Sequence, residues 1–462
     1  MNSYTEFLAE KSQQNTGHGF PPTSMPDHLF GFQAHLVEWA VRQGRGAIFA
    51  DCGMGKTPME LAWAQNVHEH TGKPVLLLTP LAVGFQIVAE AEKFGHDAAL
   101  SRDGRPSAPI TVTNYEQLEK FTPDDFGGVV CDESSAIKAF DGQRRAIVTE
   151  FMRRAPYRLL GTATAAPNDY MELGTSSEAL GELGYTDMLG RFFVNDNRTV
   201  TNRSKFAAGG RQVGWRFKGH AQDPFWRWVS SWARALRKPS DYGFSDDGFH
   251  LPPLRHRTTI VEAANPKDGT LFDMPAIGLA EEREEARRTL TERCEAAAAR
   301  IGDADTAVMW CHLNDEAALL TKLVPGAVEV AGSDSPDEKE DKLSAFTRGD
   351  IKVLVTKPVI GAWGLNWQHC HRMTYFPSHS YEQYYQAVRR SWRFGQRNDV
   401  LVDVITTKGG ESTLASLQRK AAQADAMFTA LIAHMNNALH IERGREFTTR
   451  METPQWLTSL TS

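Results

Sequence analysis

Lys56 and Thr57 close the run AIFADCGMGKT, in which Gly53 and Gly55 flank Met54 directly after an apolar stretch. The spacing is Ala or Gly, four residues, then Gly-Lys-Ser/Thr, with Ala50 in the place more often held by glycine. These residue types suit one chemistry. Glycines let the backbone turn its N–H groups inward around phosphate, the lysine ammonium reaches phosphate oxygens, and the hydroxyl of Thr57 is placed for Mg²⁺. The expected ligand is a nucleotide held by Gly53, Met54, Gly55, Lys56 and Thr57.

Two more clusters add to this. GVVCDESSAIK is a buried-strand run ending in Asp132-Glu133. As a downstream partner of a phosphate loop, Asp132 would hold Mg²⁺ while Glu133 would orient and polarise an attacking water. Adjacent carboxylates with separate uses point to hydrolysis. LLGTATAAPNDYMEL then places Thr162 and Thr164 at a strand end, where their hydroxyls would sense the γ-phosphate and pass its state onward. Far downstream, YEQYYQAVRRSWRFGQ reads as a helix with Gln386, Arg390 and Arg393 at i, i+4 and i+7 on one face and Arg389 pointing elsewhere. The plainer alternative is a basic amphipathic helix with core-facing tyrosines and solvated arginines. Arginines supplied by a facing domain are what a phosphate loop needs to neutralise charge in the transition state.

The elements that must position these groups are legible as a rhythm. From Leu29 to Phe193, β-rich runs (AIFA, PVLLLTP, ITVTN, GVVCDE, YRLLGTAT) alternate with helical patterns, as expected for a parallel α/β sheet. The rhythm fails over 194–257 and resumes in AVMWC, VEVAG, IKVLVTK, HRMTYF and VLVDVIT, before a last long helix near Ser412 to Asn437. The expected organisation is an extension over 1–28, a first α/β domain over 29–195, a basic Trp-rich insertion or linker over 196–258, a second α/β domain over 259–445 and a tail over 446–462.

The ordered motifs resemble those of the superfamily 2 helicase-type ATPases, and among them the Swi/Snf-like translocases in their compact bacterial or phage form. LFGFQ with Gln33 resembles the adenine-reading Q motif, ADCGMGKT motif I, TPLAVGFQ and TVTNYEQL motifs Ia and Ib, DESSAIK motif II, TATAAPNDYMEL motif III, GAWGLNW motif V and QAVRRSWRFGQ motif VI. The resemblance implies two tandem RecA-like domains with parallel sheets around an interdomain ATP cleft. It implies ATP hydrolysis with Mg²⁺ on Thr57 and Asp132, and γ-phosphate-facing arginines at Arg390 and Arg393, with Arg393 as the finger. Gln33, Gln386 and Gly364 are carried over to ATP binding. Pro80, Asn114, Gly361 and Asn366 are carried over to the nucleic-acid path, where double-stranded DNA is the expected partner. Motif II departs from the family by ending in Ser134-Ser135, without its usual histidine.

Composition limits the remaining classes. With 41% hydrophobic and 23% charged residues in 462, the chain reads as a globular multidomain protein. The apolar runs are too short and too broken for a bilayer helix. The opening MNSYTEFLAEKSQQNTGHGFPP lacks the pattern of a secretory leader, so no membrane association and a cytoplasmic location are expected. Five cysteines without a C-x-x-C pair suggest neither a disulfide framework nor a zinc site. The net charge of −6 is uneven: 12 Lys and Arg face 4 Asp between Arg198 and Arg257, a local +8 that leaves −14 elsewhere. Within that basic stretch Arg227 and Arg234 are candidates for the phosphate backbone. Trp226, Trp228 and Trp232 read as an aromatic core or, second, as a stacking surface.

Overall fold

The structure is a computed structural model that describes residues 18–81, 83–139, 142–166, 170–195, 215–263, 279–302, 304–361 and 365–443. The first sheet is built from β1 (Arg45–Ala50), β2 (Val75–Thr79), β3 (Ala98–Leu100), β4 (Ile110–Asn114), β5 (Gly128–Cys131), β6 (Tyr157–Thr162) and β9 (Ala233–Leu236). Their spatial order is β3-β4-β2-β5-β6-β1-β9, and every pairing is parallel. A short antiparallel ribbon joins β7 (Phe193–Asn195) to β8 (Trp215–Phe217).

The second sheet is built from β10 (Leu254–Val261), β11 (Ala307–Trp310), β12 (Ala327–Val330), β13 (Val353–Thr356), β14 (Arg372–Tyr375) and β15 (Val400–Thr407). Its order is β10-β15-β14-β11-β13-β12, again wholly parallel. Two parallel sheets, each with its own apolar core and helical cover, make a tandem RecA-like α/β architecture. β2 and β4 are buried at every position, the expected state of a central strand covered on both faces. β2, VLLLT, reads as a nearly continuous apolar run, whereas β4, ITVTN, buries threonines whose hydroxyls donate to the carbonyls of Ala108 and Ser101.

Of the stretch expected as a separate insertion over 196–258, residues 196–214 lie outside the described residues, and the rest is corrected by this topology. β9 lies in the first sheet beside β1, with Ala47 in register with Ala233 and Ala50 with Leu236. The helix Gln222–Trp232 leads into it and turns Phe225, Trp226, Val229 and Trp232 into the first domain's core, leaving Arg227 outside. The aromatic-core reading is therefore the correct one for Trp226 and Trp232; each large apolar side chain buried this way contributes roughly 1.5–3 kcal/mol. The boundary expected at 258/259 also falls inside a strand, because β10 begins at Leu254 and pairs with β15 along its whole length.

The last helix, Glu411–Arg443, belongs to both domains. Leu417 packs in the second core, while Met427, Phe428, Leu431 and Met435 join the core of the first. Arg237, just after β9, pairs with Asp425 at 2.8 Å and lies 5.0 Å from the centroid of the Phe428 ring. The helix thus straps the second domain back onto the β9 side of the first.

Candidate active site between the two sheets

β1 ends at Ala50, a loop runs to Gly55, and the helix Lys56–Thr71 begins. Gly53 and Gly55 sit at φ 87° and 77°, a left-handed backbone that residues with a Cβ rarely adopt. Space forbids a side chain as well. A Cβ on Gly55 would lie 2.2 Å from Nε2 of Gln33, and one on Gly53 would lie 2.7 Å from the backbone nitrogen of Phe394 in the second domain. Gln33 holds the loop from behind: its Nε2 donates to the carbonyl of Met54 at 3.0 Å and its Oε1 accepts from the backbone N–H of Phe30 at 3.0 Å.

Asp132 and Glu133 follow β5 and are both buried. Thr79 donates to Oδ2 of Asp132 at 3.0 Å, and the Tyr115 hydroxyl donates to its carbonyl at 2.7 Å. Burial, and then the neighbouring Glu133 charge, push the Asp132 carboxyl up to about 7. Glu133 has φ 48°, the one positive φ of a non-glycine residue among the described residues. Strained backbone of this kind persists where surrounding contacts over-determine it. Those contacts come from three directions. Lys56 Nζ lies 3.7 Å from Oε1, Thr162 donates to Oε2 at 3.3 Å, and Gln386 Nε2 reaches Oε2 at 3.4 Å from the other domain. Burial works against the Lys56 ammonium, but the negative groups around it, Glu133 foremost, raise its pKa above the ordinary lysine value.

The helix Tyr381–Arg389 delivers the second domain's side of the site. Arg390 caps it and is fully engaged, with Nε donating to the Gln386 carbonyl at 3.1 Å, Nη2 to Gln386 Oε1 at 2.8 Å and Nη1 to the Leu365 carbonyl at 3.0 Å. Arg393 corrects the one-face reading, because the helix has ended and the arginine reaches the cleft from the turn beyond it. Its Nη1 is 3.4 Å from the Leu365 carbonyl, and its buried Nε has no hydrogen-bond partner among the described residues. Burial, together with the Arg390 charge, lowers its pKa to about 10. Such a guanidinium is short of an anion.

Lys56, Thr57, Asp132, Glu133, Arg390 and Arg393 all line one cavity of about 410 Å³. Gln33, Gly53 and Gly55 line it too, as does Asn366, whose Oδ1 is buried without a partner among the described residues. Phe30, Phe249 and Phe394 wall the same space, with ring centroids 5.0 Å apart for the first pair and 4.9 Å for the second. Phe249 was not foreseen, since nothing in its local sequence, between β9 and β10, marks it. Three cations, Lys56, Arg390 and Arg393, and an aromatic wall in one cavity fit a nucleoside triphosphate. Mg²⁺ also fits: it prefers one or two carboxylates plus phosphate oxygens and water, and Asp132 supplies the carboxylate. Thr57 lines the same cavity, and the described residues hold no cluster of three or more His, Cys, Asp or Glu side chains suited to a metal.

A contact missed in the sequence lies beside this cavity. Arg389, expected to point elsewhere, donates through Nη2 to Oδ2 of Asp51 at 2.5 Å, joining the helix of one domain to the loop between β1 and the helix Lys56–Thr71 of the other. The Tyr385 hydroxyl donates to the same carboxylate, and so does the backbone N–H of Cys52, at 2.6 Å. The Arg389 side chain is 9% exposed and stacks over Trp392, 4.2 Å from its ring centroid. Thr164 adds a further bridge, its hydroxyl 3.3 Å from Glu382 Oε1, while its backbone N–H donates to Thr162 at 3.0 Å. The two threonines expected to couple the domains therefore touch Glu133 on one side and the second domain on the other.

The residues expected along a nucleic-acid path divide. Pro80 follows β2 and Asn114 ends β4, so they stand at adjacent strand ends, Thr79 being in register with Asn114. Exposed Leu81 and Phe85 lie near them, and the Arg102 guanidinium is 5.7 Å from the Phe85 ring centroid. Gly361 is buried, where a Cβ would meet Thr356 at 2.8 Å, and Gly364 lies outside the described residues. Arg227 is exposed and pairs with Asp223 at 2.8 Å. Arg234 does not fit its expected role. It is buried, donates to the carbonyls of Ser230 and Ala233, and lies 4.4 Å from the Trp39 ring centroid, because β9 is a sheet strand and its arginine is absorbed into the fold.

No protein-family model and no curated protein matches the chain. Among solved structures it is similar to the Sulfolobus solfataricus SWI2/SNF2 ATPase core in complex with dsDNA, at 16% identity and a TM-score of 0.41 over 89% of this chain and 96% of that one. It is also similar to the Mycobacterium smegmatis helicase Lhr bound to ssDNA and AMP-PNP, at 15% identity and a TM-score of 0.47 over 84% of this chain and 48% of that one. Identities this low speak to fold alone, and the fold here rests on the strand order.

Proposed function

We propose that this chain is an ATP-driven motor on nucleic acid, a Swi/Snf-like translocase that hydrolyses ATP to ADP and phosphate as it moves along duplex DNA. The observation that carries the reading is the convergence on Glu133 of Lys56, Thr162 and Gln386, within 3.7 Å and from both domains. A site assembled from two domains makes hydrolysis depend on how they are docked, and hydrolysis can then move them.

In this reading Lys56 and the loop N–H groups hold the phosphates, and Arg390 and Arg393 complete their neutralisation from the second domain. Glu133 orients the attacking water and accepts its proton. Mg²⁺, held by Thr57 and Asp132, would supply charge neutralisation between the phosphate oxygens. Gln33 keeps the loop in shape, and the ring of Phe249 offers the adenine a face. Thr162 and Thr164 link the state of Glu133 to Glu382 on the moving helix. Pro80, Asn114 and exposed Phe85 would meet the sugar-phosphate backbone, where contacts fix position without reading sequence.

Movement and strand separation are told apart by two substrates given ATP in parallel. A translocase displaces the third strand of a DNA triplex and leaves a labelled fork paired. Fork unwinding by the wild type would make the protein a strand-separating helicase on DNA or RNA. ATP-dependent DNA binding with neither activity would make it a clamp or recruitment subunit.

A further inference from the structure

On another face of the 381–389 helix, behind the Asp51–Arg389 pair, lies a second cavity of about 730 Å³. It shares no lining residue with the cavity of about 410 Å³ that holds Lys56 and Glu133. Both domains wall it: Asp51 and Thr164 from the first, Tyr384 and Val404 from the second, with the C-terminal helix closing it through Ala421 and Phe428. It lies beside the edge strands of both sheets, with Arg237 just after β9 and His256 on β10 in its lining.

The wall chemistry restricts what enters. Its two guanidiniums are already matched, Arg389 by Asp51 at 2.5 Å and Arg237 by Asp425 at 2.8 Å. Desolvation holds the His256 imidazole below its ordinary pKa, which favours its neutral form. No charge is left over to repay the desolvation of an ionic ligand. The remaining surface is mainly aromatic and aliphatic, with Tyr381, Tyr384, Trp392 and Phe428 presenting rings. Among the described residues the hydroxyls of Tyr381 and Tyr384 have no hydrogen-bond partner, and with Thr258 and Gln418 they give the wall a few polar points to orient a guest. Protein interiors are otherwise close-packed, and a volume of this size falls in the roughly 300–1,000 Å³ range that accepts a drug-sized molecule.

We propose that this cavity is a binding site for a neutral aromatic small molecule, separate from the nucleotide site and built from both domains. Because a guest there touches both, it favours the docked arrangement in which Asp51 meets Arg389. The inference does not depend on the motor reading.

The neutral fluorophore N-phenyl-1-naphthylamine tests it by titration into the full chain without nucleotide or nucleic acid. The expected result is saturable fluorescence at one probe per chain, undiminished by excess ATP with Mg²⁺. Ala421→Trp and, separately, Ala424→Phe fill the space from the C-terminal helix, and each should weaken probe binding at least about tenfold while ATP binding stays at the wild-type level. Circular dichroism matching the wild type qualifies each variant. Absence of saturable binding to the wild type, displacement of the probe by ATP, or unchanged binding in both folded variants would each overturn the assignment, and the first two need no variant at all.

Discussion

Arg393→Ala should lower ATP turnover by about 10³–10⁵-fold, the range over which a supplied arginine accelerates phosphoryl transfer in related chemistry. Nucleotide affinity should change far less, because Lys56 and the loop backbone stay in place on the other wall. The variant should also remain folded. Burial and the Arg390 charge already hold the Arg393 pKa down to about 10, so the guanidinium is a cost to the nucleotide-free fold, and removing it should leave the thermal midpoint unchanged or higher. Loss of turnover with a preserved midpoint is the signature to look for. The parallel Arg390→Ala variant should lose turnover and also stability, because Arg390 ties Gln386 to the Leu365 carbonyl. Near-normal hydrolysis in Arg393→Ala would overturn the role of Arg393 as the finger.

The next largest effect is expected at the interdomain ion pair, read as a double-mutant cycle. Asp51→Asn leaves the Arg389 guanidinium buried without its partner, and Arg389→Gln leaves the Asp51 carboxylate facing an amide. Breaking a buried pair from one side typically costs about 3–5 kcal/mol, because the surviving charge has lost both water and partner. Each single change should therefore favour the undocked arrangement and reduce turnover by at least about tenfold. The double variant removes both charges and should lose less than the sum of the singles, with a coupling of about 0.5–3 kcal/mol. Strict additivity in thermal midpoint and turnover would mean that the contact does not couple the domains.

What the sequence made legible follows from how its physics is written. Central strands such as VLLLT are buried on both faces and are mainly apolar and β-branched, so the parallel rhythm stood out. β10 is an edge strand whose LRHRTTIV is mostly exposed or half-buried, and it looked like linker. β9 was hidden by Arg234, whose charge suggested solvent, although neighbouring carbonyls and the Trp39 ring satisfy it inside the fold. At the site, short-range spacing pointed to Lys56, Asp132, Glu133, Gln386 and Arg390, which the structure gathers around one cavity. Helical periodicity placed Arg393 on the right side for an incomplete reason, since the helix stops before it. Contacts between residues more than a hundred positions apart leave no mark in local spacing. Asp51 with Arg389, and Phe249 with Phe394, could be found only once the chain had folded.

In the proposed function this interdomain cavity hydrolyses ATP under the control of nucleic acid. Steady-state phosphate release by the wild type, with and without duplex DNA and beside Lys56→Ala, tests it most directly. Hydrolysis should be stimulated by duplex DNA more than by single-stranded DNA or RNA, and should vanish in Lys56→Ala with the fold intact. Hydrolysis indifferent to every nucleic acid, or undiminished in the Lys56 variant, would contradict it.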